Sequence, residues 1–398
     1  MLHKSGHFMG KITYAWVYLS RARICDRLTY LSDSTRWSLW WEAITYVEQA
    51  ILLGEQGPNT WALLSQFHRS LNNEANALHI HCMLLDTEPE DLDILGEQAA
   101  ILAKIGEFAE AEKAIDNYLD KTQDYSQNYF GEYVKAYILL YENHYEEALN
   151  YLNSVLEENS GDIGTRDLRA SCYLLLDSPS QAVEDYLHIW NNYSPDDSKQ
   201  AHFYATAAYN IGEIGKAINI VQERLDDPSW EAGKASSSLG LYYLAQRELE
   251  KGEDLLRRGI EQMTNKRQLD DISRDFVQIK KRSLSWSSID QSRLQDGLNR
   301  LKKDIEMQRD KIKRPPTPED ELKQVIKKYP QDSDMGSRAW IGAQAALARM
   351  YSKEKRWAEA AKTYQLLLQF FPEARIGLAQ ALDNLQSGQY DCFIEHEK

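Results

Sequence analysis

Small residues recur along the chain with a period of about 34 positions, each set within a run of apolar residues. One series has spacings of 34, 37, 34, 35 and 35 residues and then one longer gap: Ala77, Ala111, Ala148, Ala182, Ala217, Gly252 and Ala360. Twelve positions before each of these lies a second small residue: Ser65, Ala99, Ala136, Ala170, Ala205, Gly240 and Ala348. A fixed period of this length is typical of stacked repeat units.

Each period contains two runs of apolar residues at helical spacing, joined by a polar turn. In one period these residues are Leu239, Tyr242 and Tyr243, followed by Leu249, Leu255, Leu256 and Ile260. Two small residues twelve positions apart let the helices of a hairpin approach closely, because a larger side chain would hold them apart. One hairpin cannot bury its apolar face alone, so the pattern predicts an all-α stack with a continuous core.

The chain resembles the tetratricopeptide repeat family in this period, in a large residue three positions before a small one, and in a closing proline. In residues 58–91 the resemblance rests on Trp61, Leu64, Ser65, Ala77, Leu84 and Pro89. From residue 341 onward it rests on Leu347, Ala348, Tyr351, Trp357, Ala360, Tyr364 and Pro372. The resemblance implies an α-solenoid, a right-handed superhelix of about eight helical hairpins, with a helical insertion before the last repeat.

The repeats divide the chain into four expected segments. Residues 1–57 would hold N-terminal helices and a degenerate capping repeat, and residues 58–264 the regular repeats. A basic helical insertion with a proline-rich break would occupy residues 265–334, and residues 335–398 would hold the last repeat, a capping helix and a tail. We expect the cluster Trp37, Trp40 and Trp41 to seal the N-terminal end of the stack.

The insertion explains why Gly240 and Ala348 are 108 residues apart, and residues 262–314 contain fourteen Lys or Arg against eight Asp or Glu. Two apolar stripes predict long amphipathic helices: Phe276 with Ile279, and Leu294, Leu298, Leu301 with Ile305. The insertion is either a projecting hairpin with a solvated basic face or a docking arm for an acidic protein or RNA. The residues of this basic arm are Lys280, Lys281, Arg282, Arg300, Lys302, Lys303, Lys311, Lys313 and Arg314.

In the resembled family the first helix of each repeat lines a concave groove. Matching positions here predict the following groove residues: Tyr133, Tyr137, Tyr141, His202, Tyr209, Asn210, Leu241 and Leu244. Tyrosine combines a large rigid ring with a hydroxyl, which suits recognition of a peptide or helix. The alternative is that these residues only pack between repeats. The basic clamp with which some members grip a terminal carboxylate is absent, since its positions hold Ala62, Gln66, Gly96, Ala100, Asp167 and Ser171.

No catalytic or nucleotide-binding motif occurs in the sequence. His68 and His81 occupy mutually packed positions of the repeat, so we interpret them as a buried pair and not as metal ligands. The sequence therefore predicts no enzyme, no catalytic residue, no metal and no cofactor.

The chain has a net charge of −15, which disfavours general nucleic-acid binding and attracts basic partners. Its scattered cysteines, its lack of a long apolar segment and the helical character of residues 12–20 favour a cytoplasmic protein. We therefore expect a scaffold or adaptor that binds a peptide or helix of another protein, with no membrane and no small-molecule substrate. Two alternatives stay open: RNA binding through residues 266–314, and a regulatory subunit of an enzyme complex.

Overall fold

The computed structural model describes residues 15–25, 33–122, 128–192, 198–225, 230–231, 233–312, 316–329 and 334–394. Over these residues the chain forms 20 α-helices and no strand. Lys313 and Arg314, at the end of the predicted basic arm, lie outside the described residues. The helices form two compact units, which we describe separately: unit 1 comprises residues 1–87 and 316–398, and unit 2 comprises residues 88–315.

Unit 1 contains helices from both ends of the sequence. They are α1, described over residues 15–25, then α2 (Asp33–Leu52), α3 (Pro58–Ser70), α4 (Glu74–Thr87), α17 (Pro318–Lys328), α18 (Asp334–Lys353), α19 (Trp357–Leu367) and α20 (Ala374–Ile394). Unit 2 contains α5 (Leu92–Ile105), α6 (Phe108–Lys121), α7 (Tyr129–Tyr141), α8 (Tyr145–Glu158), α9 (Ile163–Leu175), α10 (Pro179–Asn192), α11 (Ser198–Asn210), α12 (Ile214–Gln222), α13 (Lys234–Ala245), α14 (Leu249–Gln262), α15 (Lys266–Arg282) and α16 (Ser288–Lys311).

The small residues lie where the two helices of each hairpin meet. All twelve alanines and serines of the two series are at most 1% exposed. At the remaining pair, a Cβ atom on Gly240 would lie 2.8 Å from the Gly252 carbonyl oxygen, and the reciprocal distance is also 2.8 Å. The hairpins α3–α4, α5–α6, α7–α8, α9–α10, α11–α12, α13–α14 and α18–α19 follow the predicted repeats. The prediction of an α-solenoid of tetratricopeptide type is confirmed.

The same turn joins the two helices of each of the seven repeat hairpins. One residue adopts a left-handed conformation five positions before each second small residue: Asn72, Gly106, Asn143, Asp177, Gly212, Arg247 and Lys355. The N–H of the residue after it donates to the carbonyl oxygen five residues earlier, at 2.8–3.0 Å in all seven turns. This backbone bond satisfies a carbonyl at the end of the first helix, as in a Schellman motif.

Lys355 offers a direct test of this turn, because its φ is 59° and its side chain has no bonded partner among the described residues. A left-handed backbone conformation costs an L-residue about 1–2 kcal/mol. Glycine avoids that cost, although it loses more conformational entropy on folding. We expect Lys355→Gly to raise the free energy of unfolding by about 1 kcal/mol, measured by urea denaturation. Gly106→Ala, at φ 92°, should lower it; unchanged stability in both variants would contradict the shared turn.

In unit 1 the late helix α18 packs along α2. A Cβ atom on Gly342 would lie 2.6 Å from the Trp41 carbonyl oxygen, so the helices are in backbone contact. Arg349 of α18 donates its Nε to both carboxylate oxygens of Glu48, at 2.8 and 3.0 Å, and both side chains are buried. Trp41 thus lies against a helix of the last repeat, which the sequence alone did not predict.

The α15–α16 hairpin packs into unit 2 instead of projecting from it. The apolar stripes of both helices, including Phe276, Ile279 and Leu298, belong to one core with α13 and α14. Leu301 and Phe276 are 0% and 2% exposed. Burial of these side chains stabilises the docked position, because apolar surface leaves water.

No helix in the described parts of the chain is both long enough and apolar enough to cross a bilayer.

Candidate functional site

The first helices of successive hairpins form a row in unit 2. Helix α5 packs on α7, α7 packs on α9, and α9 packs on α11, in addition to the contacts within each hairpin. Because the first helices contact one another directly, they are closer to one another than the second helices are. The first helices therefore form the concave side of the stack. We call the side chains that these helices and α13 present there the inner face.

Helix α15 crosses the inner face at the C-terminal ends of the first helices. Its first residues contact α5 and α7. Arg267 donates its Nε to the Lys104 carbonyl oxygen at 2.7 Å, and Asp271 accepts from the Tyr141 hydroxyl at 2.5 Å. The Arg274 guanidinium lies 4.3 Å from the centre of the Tyr141 ring, which is a cation–π contact.

The second half of α15 contacts α9 and α11. Gln278 donates to the Leu174 carbonyl oxygen at 3.3 Å, and Lys281 pairs with Asp177 at 2.7 Å. Arg282 donates to Asn210 Oδ1 at 2.8 Å, and its guanidinium lies 4.2 Å from the centre of the Tyr209 ring. From Arg267 to Arg282 the helix rises about 22 Å, and along that length it contacts four successive first helices.

The sequence of α15 explains this position. Asn265 caps the helix through a capping box with Gln268, which fixes where it begins. One face carries the buried apolar residues Leu269, Ile272, Phe276 and Ile279. The opposite stripe carries Arg267, Asp271, Arg274, Gln278 and Lys281, at steps of three or four residues that keep them on one face. The helix is therefore amphipathic, with its polar side on the inner face.

Arg267 is the centre of a buried charge network on this stripe. It donates Nη1 to Asp271 at 2.9 Å and Nη2 to Glu231 at 2.7 Å, and its side chain is 6% exposed. Burial alone would raise the pKa of Glu231, but the nearby Arg267, Lys104 and Lys234 outweigh it and hold that pKa well below its usual range.

The three tyrosines predicted to line the groove lie on α7 and are half-buried. Tyr133 and Tyr137 pack against the apolar clusters of two adjoining hairpins. Tyr137 donates to the Tyr141 hydroxyl at 3.4 Å, and Tyr141 stacks on Phe108 at 4.8 Å between ring centres. Tyr141 is thus engaged by α15, whereas Tyr133 makes no described bond to that helix.

The other predicted groove residues have different environments. His202 is half-buried beside Trp230, with ring centres 6.2 Å apart. Tyr209 is buried, stacks on Tyr242 at 4.8 Å and is covered by Arg282, which also engages Asn210.

Leu241 and Leu244 are buried in the core shared by helices α11 to α16. They are 7% and 3% exposed, so neither presents a surface to a partner in this structure. Their positions in the repeat predicted an open groove, but the α15–α16 hairpin packs against them.

Three of the seven described residues of the basic arm form polar contacts within unit 2. Lys281 pairs with Asp177 in the turn after α9, Arg282 donates to Asn210 of α11, and Arg300 donates to Glu253 at 2.7 and 2.6 Å. The remaining described members have no ion pair among the described residues: Lys280, Lys302, Lys303 and Lys311.

Two carboxylates on the inner face lack strong cationic partners. Asp167 of α9 has a buried Oδ1 without a hydrogen-bond partner. Burial raises the pKa of Asp167 to about 6, with Lys234 opposing the shift. Burial and the neighbouring Asp271 raise the pKa of Asp275 on α15 to about 7, with Lys234 and Arg274 opposing. The inner face therefore combines tyrosine rings with incompletely neutralised acids.

The sequence pattern by itself predicts no role for four charged residues of α15: Arg267, Asp271, Arg274 and Asp275. Their regular spacing opposite the apolar stripe of α15 was the available signal. It indicates an amphipathic helix with a charged side but does not identify the surface that this side contacts.

No cluster of His, Cys, Asp or Glu in the described residues is arranged to hold a metal. His68 and His81 are 0% and 1% exposed, and His68 packs edge-on against Trp41. Burial, helped by Arg349, lowers the pKa of His68 to about 3, so its ring is neutral at physiological pH. A cavity of about 190 Å³ between α14 and α16 is smaller than usual ligand pockets, which begin near ~300 Å³.

Comparison with known proteins gives likenesses of fold only. No protein-family model and no curated protein matches the chain. The solved structure of the APC/C hetero-tetramer Cut9–Hcn1 is similar over 96% of this chain and 74% of that chain, at 13% identity and a TM-score of 0.46. A tetratricopeptide repeat protein from Parabacteroides merdae is similar over 70% of this chain and 100% of that chain, at 15% identity and a TM-score of 0.39.

The human IFIT1 dimer with m7Gppp-AAAA is similar over 94% of each chain, at 12% identity and a TM-score of 0.40. All these TM-scores are below 0.5, and nothing about partners or activity of this chain is derived from them.

Proposed function

We propose that the chain is a protein-interaction scaffold and that unit 2 binds a peptide or helix of a partner protein on its inner face. The observation that carries the proposal is the docking of α15. One helix of this chain, α15, contacts α5, α7, α9 and α11 with its side chains, by bonds to helix-end carbonyls and by arginines on tyrosine rings. The inner face thus has the chemistry to hold a helical segment.

The half of the inner face near the N-terminal ends of the first helices is accessible to a partner. We call this half, together with Trp230 in the segment before α13, the open half and define it by Phe130, Tyr133, Gly164, His202 and Trp230. Phe130 is 36% exposed, and the other four are half-buried. A Cβ on Gly164 would lie 3.6 Å from the Tyr133 hydroxyl, an ordinary contact, so this glycine leaves space beside the ring. Partly exposed aromatic groups beside such a space are typical of peptide-binding surfaces.

Site-specific photo-crosslinking in the native cell tests this proposal. A photoreactive phenylalanine at Phe130 should form covalent adducts with a partner protein, detected as shifted bands and identified by mass spectrometry. The same amino acid at Leu187, a 42% exposed position on the second helix α10, is the control and should give no such adduct.

A steric block distinguishes specific binding from chance collisions. Gly164→Leu should fill the space beside Tyr133 and abolish the Phe130 adducts, whereas Gly164→Ala should leave them intact because a single Cβ fits. Equal adducts from positions 130 and 187, or adducts that survive Gly164→Leu, would refute the open half as the binding surface.

RNA binding by the basic arm and a role as a regulatory subunit remain alternative proposals. The contacts of Lys281, Arg282 and Arg300 with unit 2 reduce the positive charge that the arm offers to phosphate. The acidic total charge of the chain acts in the same direction. RNA binding would require a gel shift at low salt that is lost when Lys302 and Lys303 are replaced by glutamate.

A further inference from the structure

The carboxylates of the inner face lie among tyrosines in unit 2. Gly164 is one turn before Asp167 on α9, and its Cβ position faces the Tyr133 hydroxyl. Burial raises the pKa of the Tyr133 hydroxyl, and Tyr137 and Asp167 add to the shift, so an acid and two rings share one environment. Asp167 also contributes to the raised pKa of Asp275 on α15, after burial and Asp271, so the two carboxyl groups are in the same region of the inner face.

The inner face already binds guanidinium groups wherever α15 supplies them. Arg274 lies over Tyr141 and Arg282 lies over Tyr209. No arginine or lysine among the described residues lies over Tyr133 or Tyr137, and Asp167 keeps a buried oxygen without a partner. The open half therefore repeats the tyrosine and carboxylate chemistry of the part covered by α15, but its ring carries no arginine of the described residues, and the cation that acts on Asp167 is the exposed Lys234.

From this we infer that the open half binds a positively charged side chain of the partner segment, with its cation between Tyr133 and the neighbouring Asp167. This inference rests on the proposed function and specifies the partner as a basic peptide or helix. The ring face attracts the cation through its quadrupole, and the buried Oδ1 of Asp167 gains a charged hydrogen-bond donor that the described residues do not provide. The net charge of −15 favours the approach of such a segment.

Arginine is the better fit of the two basic side chains. Its planar guanidinium can stack on a tyrosine and pair with a carboxylate, as Arg274 does in lying over Tyr141 and forming an ion pair with Asp271 at 3.7 Å. In α15 the stacked or bonded arginines Arg267 and Arg274 are seven residues apart, which is about two helical turns. A partner helix with arginines at that spacing would match neighbouring first helices in the same way.

Binding of synthetic peptides to the full-length protein tests the inference. The probe is a fluorescent alanine-rich helical peptide with arginine at every seventh position, and the matched control has neutral citrulline at those positions. We expect fluorescence polarisation to give a Kd at least about tenfold lower for the arginine peptide. Asp167→Asn should remove most of this preference, and its thermal unfolding should show an intact fold because a neutral amide replaces a buried acid.

The outcomes separate the inference from the proposed function. Equal affinity for the two peptides, no measurable binding of either, or an unchanged preference in Asp167→Asn would each overturn recognition of a cation by the open half. The photo-crosslinking result at Phe130 does not depend on peptide charge, so it tests the proposed function independently of this inference. Agmatine is a further competitor: displacement of the arginine peptide at equal concentration would identify a small cation, not a peptide, as the ligand and would also overturn the inference.

Discussion

Gly240→Ala is expected to lower the free energy of unfolding of unit 2 by about 1–3 kcal/mol. In most helix interiors this substitution stabilises by up to about 1 kcal/mol, because alanine has the higher helix propensity. Here the new Cβ would lie 2.8 Å from the Gly252 carbonyl oxygen and 2.9 Å from the Leu256 backbone nitrogen. Backbone atoms cannot move aside as a flexible side chain can, so α13 and α14 would have to separate.

The matched control is Gly215→Ala on α12, where a Cβ would meet no atom within 4 Å. There the propensity term acts alone, and stability should rise by about 0.5–1 kcal/mol. Urea denaturation followed by circular dichroism measures both changes. A stabilised Gly240→Ala variant would mean that the small residues do not determine how closely the hairpin helices pack.

Arg267→Ala is expected to lower the free energy of unfolding by about 3 kcal/mol, because it removes a buried guanidinium that donates to two half-buried carboxylates. Arg267 joins three elements of unit 2 through the Lys104 carbonyl oxygen, Glu231 and Asp271. The control is Arg258→Ala, whose ion pair with Asp254 is exposed. Such surface pairs contribute at most about 0.5 kcal/mol on a helix, so the control should unfold almost as the unsubstituted protein does.

The cost of Arg267→Ala should depend on pH with a defined sign. In the unsubstituted protein the pKa of Glu231 is held low, so its ionised form stabilises the fold above the unfolded pKa, and this contribution is lost as pH falls through the folded pKa. When Arg267 is removed, the strongest of the charges that lower the pKa of Glu231 is lost, and that pKa should rise because the carboxylate is still desolvated. The difference in unfolding free energy between the two proteins should therefore be largest near pH 7 and shrink below about pH 5. A difference that is constant with pH would exclude this network.

The fold could be predicted from the sequence because its determinant is local and repeated. Ser65 and Ala77, or Ala348 and Ala360, define a hairpin without knowledge of distant contacts, and each repeat supplies independent evidence. The left-handed turn residues were less evident, since Arg247 and Lys355 are not residues that favour that conformation. The backbone hydrogen bond that all seven repeat turns share holds Arg247 and Lys355 in that conformation.

The site could be predicted only in part, for reasons of long-range packing. The spacing of Tyr133, Tyr137 and Tyr141 placed them on one face of one helix. The helix that contacts this face, α15, is distant in sequence, since Asp271 follows Tyr141 by 130 residues. An amphipathic pattern does not indicate which surface a helix will cover. For the same reason Leu241 and Leu244 were expected in the groove but lie in the core, and α18 was not expected beside α2.

Zero-length carbodiimide crosslinking with mass spectrometry tests whether α15 lies on the inner face in solution. Lys281 and Asp177 are 104 residues apart in sequence, but their side chains are exposed and lie 2.7 Å apart. We expect an isopeptide link between them, at a yield comparable with that of the control pair Lys121 and Glu90, which are 3.1 Å apart. A link between Lys121 and Glu90 without one between Lys281 and Asp177 would contradict this position of α15.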